Sequence, residues 1–239
     1  MYFSVLLKMK QMATILNIET STEVCSVAIA KNGELLFKKE TQEGLNHSEL
    51  LTVFIEEVAA ENNFNLSKLD AVAVSKGPGS YTGLRIGVSV AKGLCYGLDI
   101  PLIAINSLEI MGIHFALNSK EEMLFCPMID ARRMEVYTAL YNSKGEEIKP
   151  VSAEIIGEDF LSEYLKDNKI LFFGNGAPKC KSKITHSNAL FGETEKTSAQ
   201  FMIQLSDKKY SEKQFEDVAY FEPFYLKNFV ATIPKNKII

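Results

Sequence analysis

Apolar positions along this chain switch between two spacings, and the switches outline its elements. Residues 14–18 form a short apolar run that stops at Glu19-Thr20-Ser21-Thr22, and residues 24–31 follow as a second strand-like run. Asn32-Gly33 is a strong hairpin signal, so residues 34–40 are expected to return beside the second run. Over residues 48–61 the apolar positions move to helical spacing through Leu51, Phe54, Ile55 and Val58. Residues 71–75 are again strand-like and feed a glycine-rich loop. The order is β-β-β-α-β.

The same order returns in the second half. Residues 125–129 form a strand ending at Asp130, as the first ends at Glu19. A hairpin over 135–141 and 146–152, a helix over 158–166 and a strand over 170–173 follow, the last running into Gly174-Asn175-Gly176. Between the repeats lie a helix over 83–97, a strand over 101–105 and a helix over 107–118. This ordered duplication, with an acidic residue after the first strand of each half, resembles the two-lobed α/β architecture of actin and the sugar kinases (the ASKHA fold), with mixed sheets flanked by helices. The expected division is an N-terminal lobe over 13–110 and a C-terminal lobe over 111–239, with residues 1–12 an extension ahead of the first strand.

Composition narrows the function classes. Apolar residues at 46% and charged residues at 23% are ordinary for a globular chain. The apolar run at residues 3–7 has no basic segment before it and no small-residue cleavage site after it, so it does not read as a signal peptide. Cys25, Cys95, Cys126 and Cys180 lack zinc-site spacing and disulfide density, which points to reduced thiols in a cytoplasmic protein. A net charge of −4 argues against unaided binding of nucleic acid, which draws on a basic surface.

The most distinctive segment is SKGPGSYTGLRIG at residues 75–87. A strand, a glycine turn and a helix start can cradle an anion, here through Gly77, Gly79, Ser80, Thr82 and Gly83. No Lys-Ser or Lys-Thr pair follows Gly83, and the glycines are misspaced for a dinucleotide fingerprint. A tight turn with Ser80 or Thr82 capping the helix accounts for the same residues, and the two readings stay open. In the helix behind the loop only Arg85 and Lys92 are charged, and apolar residues run round its circumference. With the over-apolar first helix, this predicts a subunit interface of Leu51, Phe54, Ile55 and Val58 on one helix and Ile86, Val90 and Leu94 on the other. Mutual packing inside one lobe is the competing reading.

Glu19 and Asp130 could hold magnesium across an interlobe cleft or simply cap their turns. Arg132 and Arg133 suit phosphate, and equally an interlobe turn with salt bridges. Lys179, Lys181 and Lys183, with Lys227, Lys235 and Lys237, form small basic patches that read first as solvated surface. His47 opens the first helix, but Leu50 and Leu51 occupy the positions where a second histidine would chelate a metal beside it. No metal site is expected, and no Ser-His-Asp or Cys-His constellation stands out.

The runs IETST at 18–22, HSELL at 47–51, the glycine segment, IDARRMEVY at 129–137, GNG at 174–176 and PFYLK at 223–227 together resemble the TsaB (YeaZ) family, over essentially the whole chain from residue 14. The resemblance implies a non-catalytic paralogue of TsaD, the enzyme whose first helix binds metal through His-x-x-x-His; here Leu51 stands in the second place. It implies pairing with TsaD through the first two helices, homodimerisation through that surface when alone, and recruitment of the ATPase TsaE. The implied complex transfers threonylcarbamoyl to N6 of adenosine 37 in tRNA, which this chain meets only through the complex. No cofactor bound tightly by this chain is implied; ATP or ADP belongs at the complex junction. Glu19 departs from the Asp of many relatives, which weakens a nucleotide-linked metal there. The rival class, an ATP-dependent small-molecule phosphotransferase, would need working phosphate loops in both lobes. A metalloprotease would need the absent histidine.

Overall fold

The computed structural model describes residues 12–41, 46–192 and 196–227. The expected extension, save Met12, and Lys235 and Lys237 lie outside these residues. Among the described residues the first five strands are β1 (Thr14–Glu19), β2 (Cys25–Lys31), β3 (Glu34–Thr41), β4 (Ala71–Gly77) and β5 (Leu102–Asn106), forming one sheet in the order β3-β2-β1-β4-β5. Helices α1 (His47–Glu61) and α2 (Tyr81–Leu98) cover one face. The other face meets α3 (Ser107–Asn118) and α6 (Ile203–Ser211).

Strand periodicity sorts the central residues between these two layers. Leu16, Ile18, Val72, Val74 and Leu102 join the cluster under α1 and α2. Their neighbours Ile15, Ala71, Ala73 and Ile103 join the cluster with Ile110 of α3 and Leu205 of α6. A strand covered on both sides is apolar at consecutive positions, which is why β4 opens as an unbroken run and β1 is broken only by the buried Asn17. The parallel β1–β4 pair and the antiparallel β1–β2 pair make the sheet mixed.

The second sheet contains β6 (Leu124–Asp130), β7 (Glu135–Tyr141), β8 (Glu147–Ile155), β9 (Ile170–Phe173) and β10 (Ala189–Phe191), in the order β10-β9-β6-β7-β8. With α4 (Ser162–Asp167) and α5 (Ala177–Cys180) it repeats the connectivity of the first lobe, giving the actin-like two-lobed α/β fold expected. Helix α3 belongs to both lobes. Its Ile110 packs in the first, and its Leu108, Met111 and Ala116 pack against Phe125, Ile129 and Phe173 of the second. A helix claimed from two sides is apolar all round, as SLEIMGIHFALN is.

Helix α5 and strand β10 follow the last expected element, and two further differences bear on how the lobes are built. Helix α4 starts at Ser162 rather than residue 158, because Leu161 takes φ +56° and buries its side chain while residues 157–161 turn on short-range bonds. The chain also leaves the second sheet before it ends. A 3-10 turn at Ala199–Met202 and α6 pack on the first sheet, so not all of residues 111–239 sit with the second. Met202 and Leu205 supply the apolar cover that Ala71 and Ala73 are too small to provide for themselves. No helix among the described residues is long and apolar enough to cross a membrane.

Candidate functional site

The two sheets point their first turns at one another across a cleft of about 450 Å³. Ser21 and Thr22 line it from the first lobe, Asp130 and Arg132 from the second, with Tyr81 and Lys227 at its sides. Thr22 Oγ1 and Thr197 Oγ1 lie 2.7 Å apart, and Asn175 Nδ2 donates to Glu23 at 2.8 Å, so polar contacts cross between the halves. Neither pair was legible in the sequence, because each partner lies more than a hundred residues from the other.

Glu19 does not face this cleft. It is fully buried, and its Oε1 accepts from the Ser21 amide at 2.6 Å and from Ser75 Oγ at 3.1 Å. Burial pushes its carboxyl above the usual range, and hydrogen bonds from Ser21, Ser75 and the Thr20 amide partly oppose that. The residue staples the β1–β2 turn to β4. Of the two roles offered for Glu19, Oε1 fills the turn role, while Oε2 is buried with no hydrogen-bond partner among the described residues.

The glycine loop is occupied by the chain itself. The Ser80 amide donates to Ser21 O at 2.7 Å, and Ser80 Oγ accepts from the Gly83 amide at 3.3 Å, making Ser80 the cap of α2. Thr82 is exposed on the first turn. A Cβ on Gly79 would stand 2.2 Å from Ser21 O, and one on Gly83 would stand 2.1 Å from Thr20 O. These glycines let the β1–β2 turn lie directly on the helix start. The amides of Ser80 and Gly83, which a phosphate would seek, are already bonded.

Asp130 stays half-exposed and pairs with Lys179, while accepting from the Arg132 amide at 2.8 Å. Arg132 and Arg133 take consecutive left-handed conformations, φ +70° and +53°, in the β6–β7 turn. For side chains larger than glycine that costs on the order of 1 kcal/mol or more each. Both arginines are exposed, and neither guanidinium has a partner among the described residues. Lys179 also donates to Glu135 O at 2.7 Å, and Lys227 pairs with Glu135. Lys181 and Lys183 remain exposed.

The expected interface divides. Leu51, Phe54, Ile55 and Val58 are core residues, at 1%, 8%, 4% and 1% exposure, packed on the first sheet. Their spacing is a single apolar stripe, and the chain's own sheet takes it. In the lone chain they serve the core, although Ile55 also lines the groove beside α2. On α2, Ile86, Val90 and Leu94 are only partly buried, and nothing lies within 4 Å of a Cβ on Gly93 or Gly97. An open groove of about 500 Å³ runs between α1, α2 and residues 64–66, lined by Thr52, Ala59, Phe64, Val90 and Leu94.

His47 is buried and its Nε2 donates to Val24 O at 3.0 Å, tying α1 to the β1–β2 turn. Among the described residues no three His, Cys, Asp or Glu side chains come together as a metal set.

Comparison with known proteins places this architecture. Residues 41–235 match the family model of TsaD, tRNA N6-adenosine threonylcarbamoyltransferase. The chain is 30% identical to the tRNA threonylcarbamoyladenosine biosynthesis protein TsaB of Haemophilus influenzae, over 92% of this chain and 96% of the relative. It is 33% identical to the TsaB protein of Bacillus subtilis, over 90% of this chain and 94% of that one. A solved structure, YeaZ from Pseudomonas aeruginosa, superposes with a TM-score of 0.74 at 26% identity, covering 90% of this chain and all of its own. On the match over residues 41–235 and the similarity to TsaB proteins along nearly the whole chain, this chain belongs to the TsaB (YeaZ) family.

Proposed function

We infer that this chain works in threonylcarbamoyladenosine biosynthesis as the non-catalytic subunit that binds and supports the transferase TsaD on tRNA adenosine 37. The observation that carries the reading is the open groove beside α2, with Val90 and Leu94 at its wall and glycines along the exposed side of the helix. Glycines on an exposed face allow a second helix to approach closely, and a partly buried apolar rim gives it area to cover. TsaD is the occupant; a second copy takes its place when this chain is alone. TsaE joins the pair, ATP or ADP sits at the complex junction, and tRNA is met only there, in the cytoplasm. Glu19 is folded into its turn, the Ser80 and Gly83 amides are bonded within the chain, and Leu51 is core, which favours a supporting role over chemistry by this chain alone.

The test is co-purification with the host's TsaD, wild type beside Val90→Glu, followed by threonylcarbamoyl transfer with and without this chain. A stable complex lost on Val90→Glu, with transfer that depends on the complex, is the expected result. ATP turnover by this chain alone, with no complex, overturns it in favour of a phosphotransferase.

A further inference from the structure

The segment after α6 is not a trailing end. Glu216 adds to the open edge of the first sheet, its amide donating to Leu102 O at 2.9 Å. Val218 and Phe221 then pack against the cluster under α1 and α2. Lys92 of α2 donates to Ala219 O at 3.1 Å and to Phe221 O at 3.0 Å, fixing the segment along the flank of the helix. The Phe224 amide donates to Lys76 O at 2.7 Å. Gly77 holds φ +110°, and a Cβ there would stand 2.7 Å from Phe224 O, so the glycine loop is shaped around this passing strand. Tyr225 packs on Tyr81 at 4.9 Å between ring centroids, and its hydroxyl accepts from Arg85 Nε at 3.2 Å. Every contact to this point is with the first lobe. Two residues on, Lys227 lines the cleft and pairs with Glu135 on β7 of the second lobe.

We propose that residues 216–227 are a latch: a strap anchored along α2 whose last contact, Lys227 to Glu135, holds the interlobe cleft closed. The anchor is many-membered and partly apolar. The catch is one ion pair with side chains 43% and 20% exposed, the kind of contact that is readily exchanged for water. A strong anchor with a weak catch releases at one place, and release leaves the Asn175–Glu23 bond as a remaining side-chain contact between the β6–β7 side of the cleft and the first lobe. The inference concerns the chain alone and does not depend on the partner assigned above.

The four native cysteines are buried, so Thr82→Cys and Arg133→Cys place two accessible spin labels on opposite sides of the cleft. Their distance distribution is read in the full chain. Lys227→Glu, which sets two carboxylates against each other, is expected to raise the long-distance population about two- to fivefold, in line with an exposed pair. Tyr225→Ala, which loosens the last anchor, should do the same. Exchanging the charges, Lys227→Glu with Glu135→Lys, should restore the starting distribution. The proposal is overturned if Lys227→Glu leaves the distribution unchanged. It is equally overturned if the charge exchange fails to restore it, since the effect then does not pass through Glu135.

Discussion

Thr20 Oγ1 donates to the carbonyl of Gly83 at 2.9 Å, while the Thr20 carbonyl lies where a Gly83 Cβ would go. The β1–β2 turn and the start of α2 are therefore one packed unit. Gly83→Ala puts a methyl 2.1 Å from a backbone oxygen that cannot withdraw without lifting the turn. The expected cost is about 1–3 kcal/mol in urea denaturation. An unchanged midpoint would mean that the turn is free to move.

Glu19 gives a pH signature. Burial raises its folded pKa above the ordinary 4.5, so the folded state holds a proton that the unfolded state has released. Its contribution to stability therefore falls as pH rises from the ordinary carboxyl range through the raised value, then levels off. Glu19→Gln keeps the shape and removes the titration. Wild type should gain on this variant when stability is compared at pH 4.5 rather than pH 8. A difference independent of pH contradicts the buried carboxyl.

Arg132 and Arg133 hold a conformation that asparagine and glycine adopt readily. Arg132→Asn with Arg133→Gly should stabilise the chain by about 1 kcal/mol per site, a rise of roughly 2–4 °C in Tm for each. If this more stable variant also loses partner-dependent transfer, the strain serves the β6–β7 turn's function. A lower Tm would show that the arginines support the turn after all.

The division of the helices is tested by paired substitutions. Leu51→Ala should cost about 2–5 kcal/mol, because it empties a core position. Val90→Glu should cost about 1 kcal/mol or less and act on association instead. Circular dichroism melts beside size exclusion separate the two; similar melting losses for both would return Val90 to the core.

The sequence carried the sheets and their duplication because β1, β4 and β6 are short apolar runs with acidic or glycine stops, a pattern local in the chain. It offered a cap at Ser80 or Thr82 beside an anion cradle, and the structure chooses the cap at Ser80. On α1 the competing reading of packing inside the lobe accounts for Leu51, Phe54 and Val58, while Ile55 also borders the groove and Leu50 and Val53 exceed the stripe. The position of Glu19 was legible, but not its direction, which depends on Ser75 on another strand. The return of α6 and the strap to the first lobe had no local signal. Helix α6 is held by Leu205 in the cluster on the first sheet, and the strap by Leu102, Lys76 and Lys92, all far back in the chain.

Helix α3 has one further consequence. The two halves look like copies, yet each lacks a wall that only this helix supplies, with Ile110 turned one way and Leu108 and Met111 the other. A duplicated ancestor could live as two separable units; this chain cannot be cut at its symmetry point without leaving an oily face bare on one side. The repeat has become one packed body, with the helix between the copies as its keel.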